Sequence, residues 1–358
     1  MPSQPRPQSQ WLRSFILFSV LACASLAALG FLGAFIVRRV SRSLQSPGDG
    51  PVATDVRPNV ALPAVTAGWD NVTANLLSAF DSVDVIALGE GLGRKMDSEL
   101  RLRLIRHPDF PFRAHLIVVE FGNSLYQSTL DKYVYGDDVP MEALENVWWH
   151  DSPVYAEFFA AVREVNRKLP PDRRVRVVAG DVPIDWDKVK TKADLVPFLL
   201  RRGFPVSLSR VAVPRGEKAL VIYTSRYLKR PVFPLEAASE QPMADVPADA
   251  PLPTTAPPMF KALQVAGPGR VFVVETVAGL NLFEKTIQFG ELPALVPLTG
   301  IHSAVGSGLG DEADACVYFG NTQEANATVP PDAATWHGTA LGAELGRRQK
   351  IMESAQSN

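Results

Sequence analysis

The sequence predicts an α/β domain with a mainly parallel sheet flanked by helices, and three features of the chain support this fold class. Six short runs are rich in Val and Ile and apolar at successive positions, as in strands buried on both faces. Segments of helical periodicity separate these runs, which is the alternation of parallel strands with crossover helices. Four of the runs carry an acidic residue at or near their carboxyl end, where such sheets bind ligands.

Ahead of this domain, residues 15–37 contain no charged side chain over 23 positions. A helix of that length spans roughly 35 Å, enough to cross a bilayer core of about 30 Å. We therefore expect a short tail (1–14) and one N-terminal transmembrane helix. A cleaved signal peptide ending near Ala22-Cys23-Ala24 is the alternative, although the apolar run continues well beyond that site.

The side of the membrane follows less directly from the sequence. Two arginines precede the apolar run and three follow it closely, so the positive-inside comparison is nearly balanced. We expect a single-pass membrane protein with its domain on the extracytoplasmic side.

The remaining chain divides by composition and periodicity. Residues 38–68 are rich in Pro, Gly and small polar residues and are predicted to be a flexible linker. The α/β domain is expected over 69–330, followed by a C-terminal helix and tail (331–358). Within the domain, residues 231–258 contain eight prolines and are predicted to be an irregular insertion.

The elements of the domain are predicted in order as follows. A helix over 70–81 precedes VDVIALGE (83–90), a strand that leads into a second helix containing Leu100, Leu102, Leu104 and Ile105. AHLIVVEFG (114–122) is the next strand, and SLYQSTLDKYVYG and VYAEFFAAVREVNRKL (154–169) are helical. The other four strands are RVRVVAGD (174–181), EKALVIYT (217–224), GRVFVVET (269–276) and DACVYFGN (314–321).

The bulk composition excludes several function classes. The chain has 36 Lys and Arg against 38 Asp and Glu, so no global positive field attracts nucleic acid. Its two cysteines provide neither a disulfide framework nor a Cys-based zinc site. The five histidines lack the spacing of a metal site, and no G-x-S-x-G nucleophile elbow is present.

The strand-end carboxylates are the candidate catalytic residues, namely Glu90, Glu120 and Asp181. A carboxylate at such a position acts as an acid or base when burial or a neighbouring charge tunes its pKa. The simpler alternative is that each residue caps the helix that follows it. Arg163 is a candidate carboxylate or substrate clamp, with a solvated helix-face arginine as the alternative. Arg94, in Gly91-Leu92-Gly93-Arg94-Lys95, is a candidate binding residue, although this stretch lacks the phosphate-binding glycine patterns.

Several segments between about residues 80 and 320 match segments of a known superfamily and occur in the same order. They are VIALGEG, IVVEFGNSLYQSTLDKYVYGDDVP, VYAEFFAAVREVNRKLPPDRRVRVVAGDVPIDWD, ALVIY and ADACVYFG. These segments resemble the erythromycin esterase-like proteins, a branch of the superfamily that includes the ChaN haem-uptake proteins and the Tiki proteases. The resemblance is to an uncharacterised bacterial subgroup, and it implies the α/β fold of that superfamily with a hydrolase-type site.

In the family, the first strand typically ends in G-E-x-x-H-G, with the histidine taken as general base. Gly89 and Glu90 match this motif, but Gly93 stands at the position of the histidine. Glu120, Arg163 and Gly180-Asp181 match further family positions. A second histidine expected after ALVIY is also missing, since Thr224-Ser225-Arg226-Tyr227 follows that strand.

These losses lead to three functional predictions. Arg94 or Lys95 is expected to lower the pKa of Glu90 and weaken it as a base. We therefore expect a catalytically degenerate domain that binds a small molecule or a partner. The first alternative is an active ester or lactone hydrolase with a carboxylate-activated water. The second, by analogy with ChaN, is a haem or metal binder with Tyr227 as a possible ligand; the sequence itself identifies no cofactor.

Overall fold

The strands that can be described form one eight-stranded sheet in this computed structural model. In chain order they are β1 (Thr66–Ala67), β2 (Val85–Glu90), β3 (Leu116–Asn123), β4 (Arg176–Asp181), β5 (Ala219–Thr224), β6 (Val271–Val277), β7 (Ala294–Pro297) and β8 (Ala315–Tyr318). Their order across the sheet is β1-β7-β8-β6-β2-β5-β3-β4. The structure describes residues 57–91, 93–148, 153–199, 217–230, 260, 263, 269–279, 290–298, 309–328 and 340–356.

The predicted fold class is confirmed at the level of a mainly parallel α/β sheet. All six apolar runs form strands, and β4, β3, β5, β2, β6 and β8 pair in parallel. Only β7 runs against its neighbours β8 and β1. The strands β1 and β7 are not among the predicted six, and β1 lies within the segment predicted as linker. Both are short, with two and four residues, so neither carries an extended apolar pattern.

The described helices surround this sheet. They are α1 (Trp69–Ala79), α2 (Lys95–Arg106), α3 (Phe110–Arg113), α4 (Gln127–Tyr135), α5 (Met141–Leu144), α6 (Pro153–Arg167), α7 (Lys192–Leu199), α8 (Leu309–Glu312), α9 (Gln323–Asn326) and α10 (Ala340–Gln356). The predicted helices at 70–81 and 154–169 correspond to α1 and α6 to within a few residues. The turn Pro170-Pro171 follows α6, and proline there prevents the helix from continuing.

Side chains of each central strand alternate between two apolar cores. Ile86 and Leu88 of β2 belong to the larger core, which also contains residues of α1, α2 and α6. Val85 and Ala87 face the opposite side of the sheet, where Tyr223 and Val273 pack. The burial of both faces explains why these strands read as continuous apolar runs.

The predicted anchor (15–37) and the proline-rich insertion (231–258) lie outside the described residues. Among the helices that the structure does describe, none is both long and apolar enough to cross a membrane.

Candidate functional site

The carboxyl ends of the parallel strands bring Glu90 and Glu120 to the same edge of the sheet. Glu90 ends β2 and pairs in register with Thr224 of β5. The pairing of β3 with β4 becomes irregular after Val119, and Glu120 follows directly. One Glu120 oxygen accepts hydrogen bonds from the Thr224 backbone N–H at 2.6 Å and from its hydroxyl at 2.7 Å. Thr224 therefore lies between the two acids.

Both acids line one small pocket. Its other walls are formed by Gly91, Phe121, Tyr155, Ile222, Tyr223 and Thr224. The pocket has about 20 Å³ of free volume, enough for a single water molecule. Glu90 and Glu120 are each only 6% exposed. None of these described lining residues is a histidine.

A buried arginine, Arg101 of α2, holds Glu90 in place. Its Nη1 donates to Oε2 of Glu90, and the two side chains are 2% and 7% exposed. The guanidinium carbon of Arg101 lies 5.1 Å from the ring centre of Phe121, 5.5 Å from Tyr155 and 5.9 Å from Phe158. Aromatic faces attract such a cation, so the three rings help to hold Arg101 in position.

The second Glu90 oxygen is not bound in this way. Oε1 is buried and has no hydrogen-bond partner in the structure. The same is true of Nε and Nη2 of Arg101. Buried polar atoms without partners are rare in proteins and require an explanation, such as a bound water or a chemical role. Glu90, which lines the pocket, therefore has one buried carboxyl oxygen without a hydrogen-bond partner.

Burial, with a smaller contribution from the nearby Asp97, raises the pKa of Glu90 to about 8. Arg101 and, more weakly, Arg94 act in the opposite direction but do not compensate for the loss of hydration. The expected lowering of this pKa by Arg94 or Lys95 is thus outweighed. Lys95 points elsewhere, with its exposed amine 3.7 Å from Glu324.

Arg94 belongs to a second charged group beside the pocket. Its Nε donates to Asp97 at 2.8 Å, and its Nη2 donates to the hydroxyl and carbonyl of Thr276 at 3.1 and 3.2 Å. The same Asp97 oxygen accepts from the Gly91 backbone N–H at 2.9 Å. Burial raises the pKa of the Asp97 carboxyl despite these donors. Arg94 therefore shapes the turn after Glu90 and does not line the pocket.

Two further strand-end acids lie apart from the pocket. Asp181 is 2% exposed at the end of β4 and accepts a hydrogen bond from the neighbouring Val182 backbone N–H at 2.8 Å. Glu275 projects from the opposite face of the sheet, where its Oε1 approaches Gly89 so closely that a Cβ there would lie 2.8 Å away. Burial raises the pKa of Glu275, while a hydrogen bond from Ser225 and the charge of Lys229 lower it.

The two remaining predicted binding residues have local structural contacts. Arg163 donates to the carbonyl oxygens of Tyr133, Gly136 and Asp137 at 2.6 to 3.3 Å, at the C-terminal end of α4. Carbonyls at a helix C-terminus lack helical partners, and a cation there is favourable. The Tyr227 hydroxyl accepts from Arg226 at 2.8 Å, and neither Arg163 nor Tyr227 lines the pocket.

Arg101, Asp97 and Tyr155 are site residues that the sequence analysis missed. The Tyr155 hydroxyl accepts from the Gly93 backbone N–H at 3.3 Å, and burial raises the pKa of this phenol. A signal for Arg101 was present, because it stands four residues after Asp97 and three before Leu104, on the inward face of α2. No group of three or more His, Cys, Asp or Glu residues suited to a metal ion occurs in the described ranges.

Comparisons with known proteins identify the fold and not the function. No family model matches the chain, and no curated protein matches it. A crystal structure of a Bacillus cereus protein is similar over 71% of this chain and 92% of its own, with 10% identity and a TM-score of 0.50. At that identity the likeness is one of fold alone.

Two other solved structures are similar at lower scores. The type III effector HopBA1 is matched over 75% of this chain and all of its own, with 10% identity and a TM-score of 0.37. A structure described as bacterial protein toxins is matched over 46% of this chain and 33% of its own, with 19% identity and a TM-score of 0.31. None of the three names refers to an erythromycin esterase or a ChaN protein.

Proposed function

We propose that the pocket between Glu90 and Glu120 is a hydrolytic site in which a carboxylate activates water against an ester or lactone. One observation carries the proposal: two buried carboxylates share a pocket with room for one water, and Oε1 of Glu90 has no hydrogen-bond partner there. A water in that space lies beside Glu90, as general base catalysis requires, and the substrate carbonyl must reach this water from outside the pocket, whose volume admits only water.

The base strength of Glu90 favours this alternative over a degenerate site. A general base works best when its pKa lies near the operating pH, and burial places the pKa of Glu90 at about 8. Ionised Glu90 takes one proton from water while the water oxygen bonds to the carbonyl carbon. The tetrahedral intermediate then collapses with loss of the alkoxide, which takes the proton from Glu90 and leaves that carboxyl ionised again. Arg101 positions Glu90 by holding Oε2, which leaves Oε1 for the water.

Ester hydrolysis by the full chain in detergent tests the proposal. The probes are p-nitrophenyl acetate and the lactone dihydrocoumarin, compared for wild type and Glu90→Gln. Glu164→Gln is the matched control, because Glu164 is an exposed helix-face acid paired with Lys168. We expect turnover that rises as pH approaches 8 and falls about 10²- to 10⁴-fold in Glu90→Gln only.

Binding without turnover is the second candidate, and it is favoured by the internal hydrogen bonds that each acid already accepts. Oε2 of Glu90 is held by Arg101, and Oε2 of Glu120 is held by Thr224. A site whose acids serve only these internal contacts keeps its shape without catalysing a reaction. Absence of turnover in wild type together with saturable binding of the lactone, measured by calorimetry, would favour this candidate.

We further propose membership of the erythromycin esterase-like superfamily, supported by the ordered sequence segments and by Glu90 and Glu120 at adjacent positions of one pocket. The haem-binding alternative rests on the resemblance to ChaN and on Tyr227. A haemin titration without a Soret shift would remove it.

We also propose that residues 15–37 anchor the chain in a membrane as a single-pass helix with the domain on the extracytoplasmic side. Its support is the uncharged 23-residue run. Alkaline carbonate extraction tests the anchor: the full chain is expected in the membrane pellet, and release into the supernatant would contradict it.

A further inference from the structure

A basic turn lies at the amino edge of the sheet, opposite the candidate site. This turn, residues 167–176, connects α6 to β4 and contains five basic side chains and one acidic one in a chain of net charge −2. The basic residues are Arg167, Lys168, Arg173, Arg174 and Arg176, of which all but the half-buried Arg174 are exposed.

Most of this positive charge is left to the solvent. Lys168 pairs with Glu164 at 2.8 Å, but their side chains are 71% and 59% exposed, so the pair is weak. Arg174 donates to the Tyr135 carbonyl at 3.2 Å. Elsewhere along the same edge the basic side chains have specific partners: Arg270 pairs with Asp84. The basic turn is therefore a local positive surface beside the edge strand β4.

We propose that the basic turn binds anionic phospholipid headgroups. The inference rests on the anchor proposed above, which holds the domain beside a bilayer, and on the exposed positive charge of the turn.

Anionic lipid is the partner that the observations favour over nucleic acid. Juxtamembrane Lys and Arg residues gain affinity from the surface potential of anionic bilayers, each by about fivefold. Single-stranded nucleic acid requires aromatic rings interleaved with the basic residues, and residues 167–176 contain no aromatic side chain.

Energy transfer in nanodiscs tests the proposal on the full chain. A donor is attached at Pro170→Cys within the turn or, as a matched control, at Leu125→Cys at the carboxyl edge, both in a Cys23→Ser background. Leu125 is 45% exposed, and the remaining Cys316 is buried. The acceptor is a rhodamine headgroup in discs of phosphatidylcholine with or without 30% phosphatidylglycerol.

We expect strong transfer from position 170 only in the anionic discs, and weaker transfer from position 125. Two changes are expected to reduce transfer from position 170 to the level seen in neutral discs. One is the replacement of four basic residues by Gln, namely Arg167, Lys168, Arg173 and Arg176. The other is the addition of 0.5 M NaCl to the protein that keeps them. Equal transfer in both lipids, or closer approach of position 125, would overturn the proposal. Binding of a single-stranded RNA probe by the turn, with energy transfer that does not depend on lipid charge, would also overturn it. Loss of the whole chain from the discs would instead refute the anchor and, with it, this inference. The hydrolase proposal is independent of all these results.

Discussion

The buried carboxyl of Glu90 is expected to make the stability of the domain depend on pH. Its pKa is about 8 in the folded protein against an ordinary value of 4.5, so the folded state retains a proton that the unfolded state releases. Between these two pKa values the folded protein binds more protons, and the free energy of unfolding must fall as pH rises. The full contribution is present below pH 4.5 and is lost as pH rises through 8.

The size of the effect follows from the same shift. Each pKa unit corresponds to about 1.4 kcal/mol, so the titration of Glu90 removes up to about 5 kcal/mol between pH 4.5 and 8. Solvent screening reduces this little, because the Glu90 and Arg101 side chains are 7% and 2% exposed. In Glu90→Gln the term is absent, since glutamine does not titrate.

Urea denaturation followed by tryptophan fluorescence at pH 5 and pH 8 measures this term. Buried acids elsewhere with raised pKa values, such as Glu275 and Asp314, remain in both proteins. The comparison of wild type with Glu90→Gln therefore isolates the titration of Glu90 together with its effect on the neighbouring Asp97. We expect the wild type to lose several kcal/mol more than the variant over this interval. Parallel losses in the two proteins would refute the conclusion that burial outweighs Arg101.

Three structural substitutions are expected to affect stability without a direct role in the pocket. Arg163→Ala removes the donor to the end of α4 and should cost about 2–3 kcal/mol in urea denaturation, with the hydrolysis rate per folded molecule unchanged; a selective rate loss would place Arg163 in the site. Asn166→Ala leaves three buried backbone groups of the α4 and β4 region without their partner and should cost a similar amount; a neutral result would contradict this. Gly180→Ala puts a Cβ 2.0 Å from the Tyr223 hydroxyl and should lower the free energy of unfolding by about 1–3 kcal/mol. Unchanged stability would show that Tyr223 can move away from this Cβ without cost.

The parallel part of the sheet could be predicted because burial on both faces leaves a direct mark in the sequence. Each of the six parallel strands contains a continuous apolar run. The strand β1 is fixed instead by pairing with β7, Thr66 opposite Leu295 and Ala67 opposite Ala294, and β7 pairs with β8 on its other side. Pairing between segments more than 200 residues apart is not visible in a local pattern.

The acids of the site were predictable, and the group that positions them was not. Parallel strands end at one edge, so Glu90 and Glu120 were expected there, and both line the pocket. Which helix arginine reaches that edge depends on the rotation of each helix against the sheet. Arg101 of α2 points inward to Glu90, whereas Arg163 of α6 points to the end of α4.

The electrostatic prediction for Glu90 failed for a related reason. The sequence shows Arg94 and Lys95 nearby, and their charges alone predict a lowered pKa. It does not show how completely the carboxyl is removed from water, and that desolvation is the largest effect on its pKa. The sign of the shift therefore depends on the three-dimensional packing of β2 against α2 and α6.

The central claim is that Glu90 activates water in the pocket it shares with Glu120, and the most direct measurement is kcat/KM for p-nitrophenyl acetate as a function of pH. In wild type we expect the value to rise with an apparent pKa near 8 and then level off. In Glu90→Gln this rise should be absent and the plateau about 10²- to 10⁴-fold lower, while Glu164→Gln should match wild type. A wild-type profile without turnover above the buffer rate, or one that Glu90→Gln leaves unchanged, would contradict the claim.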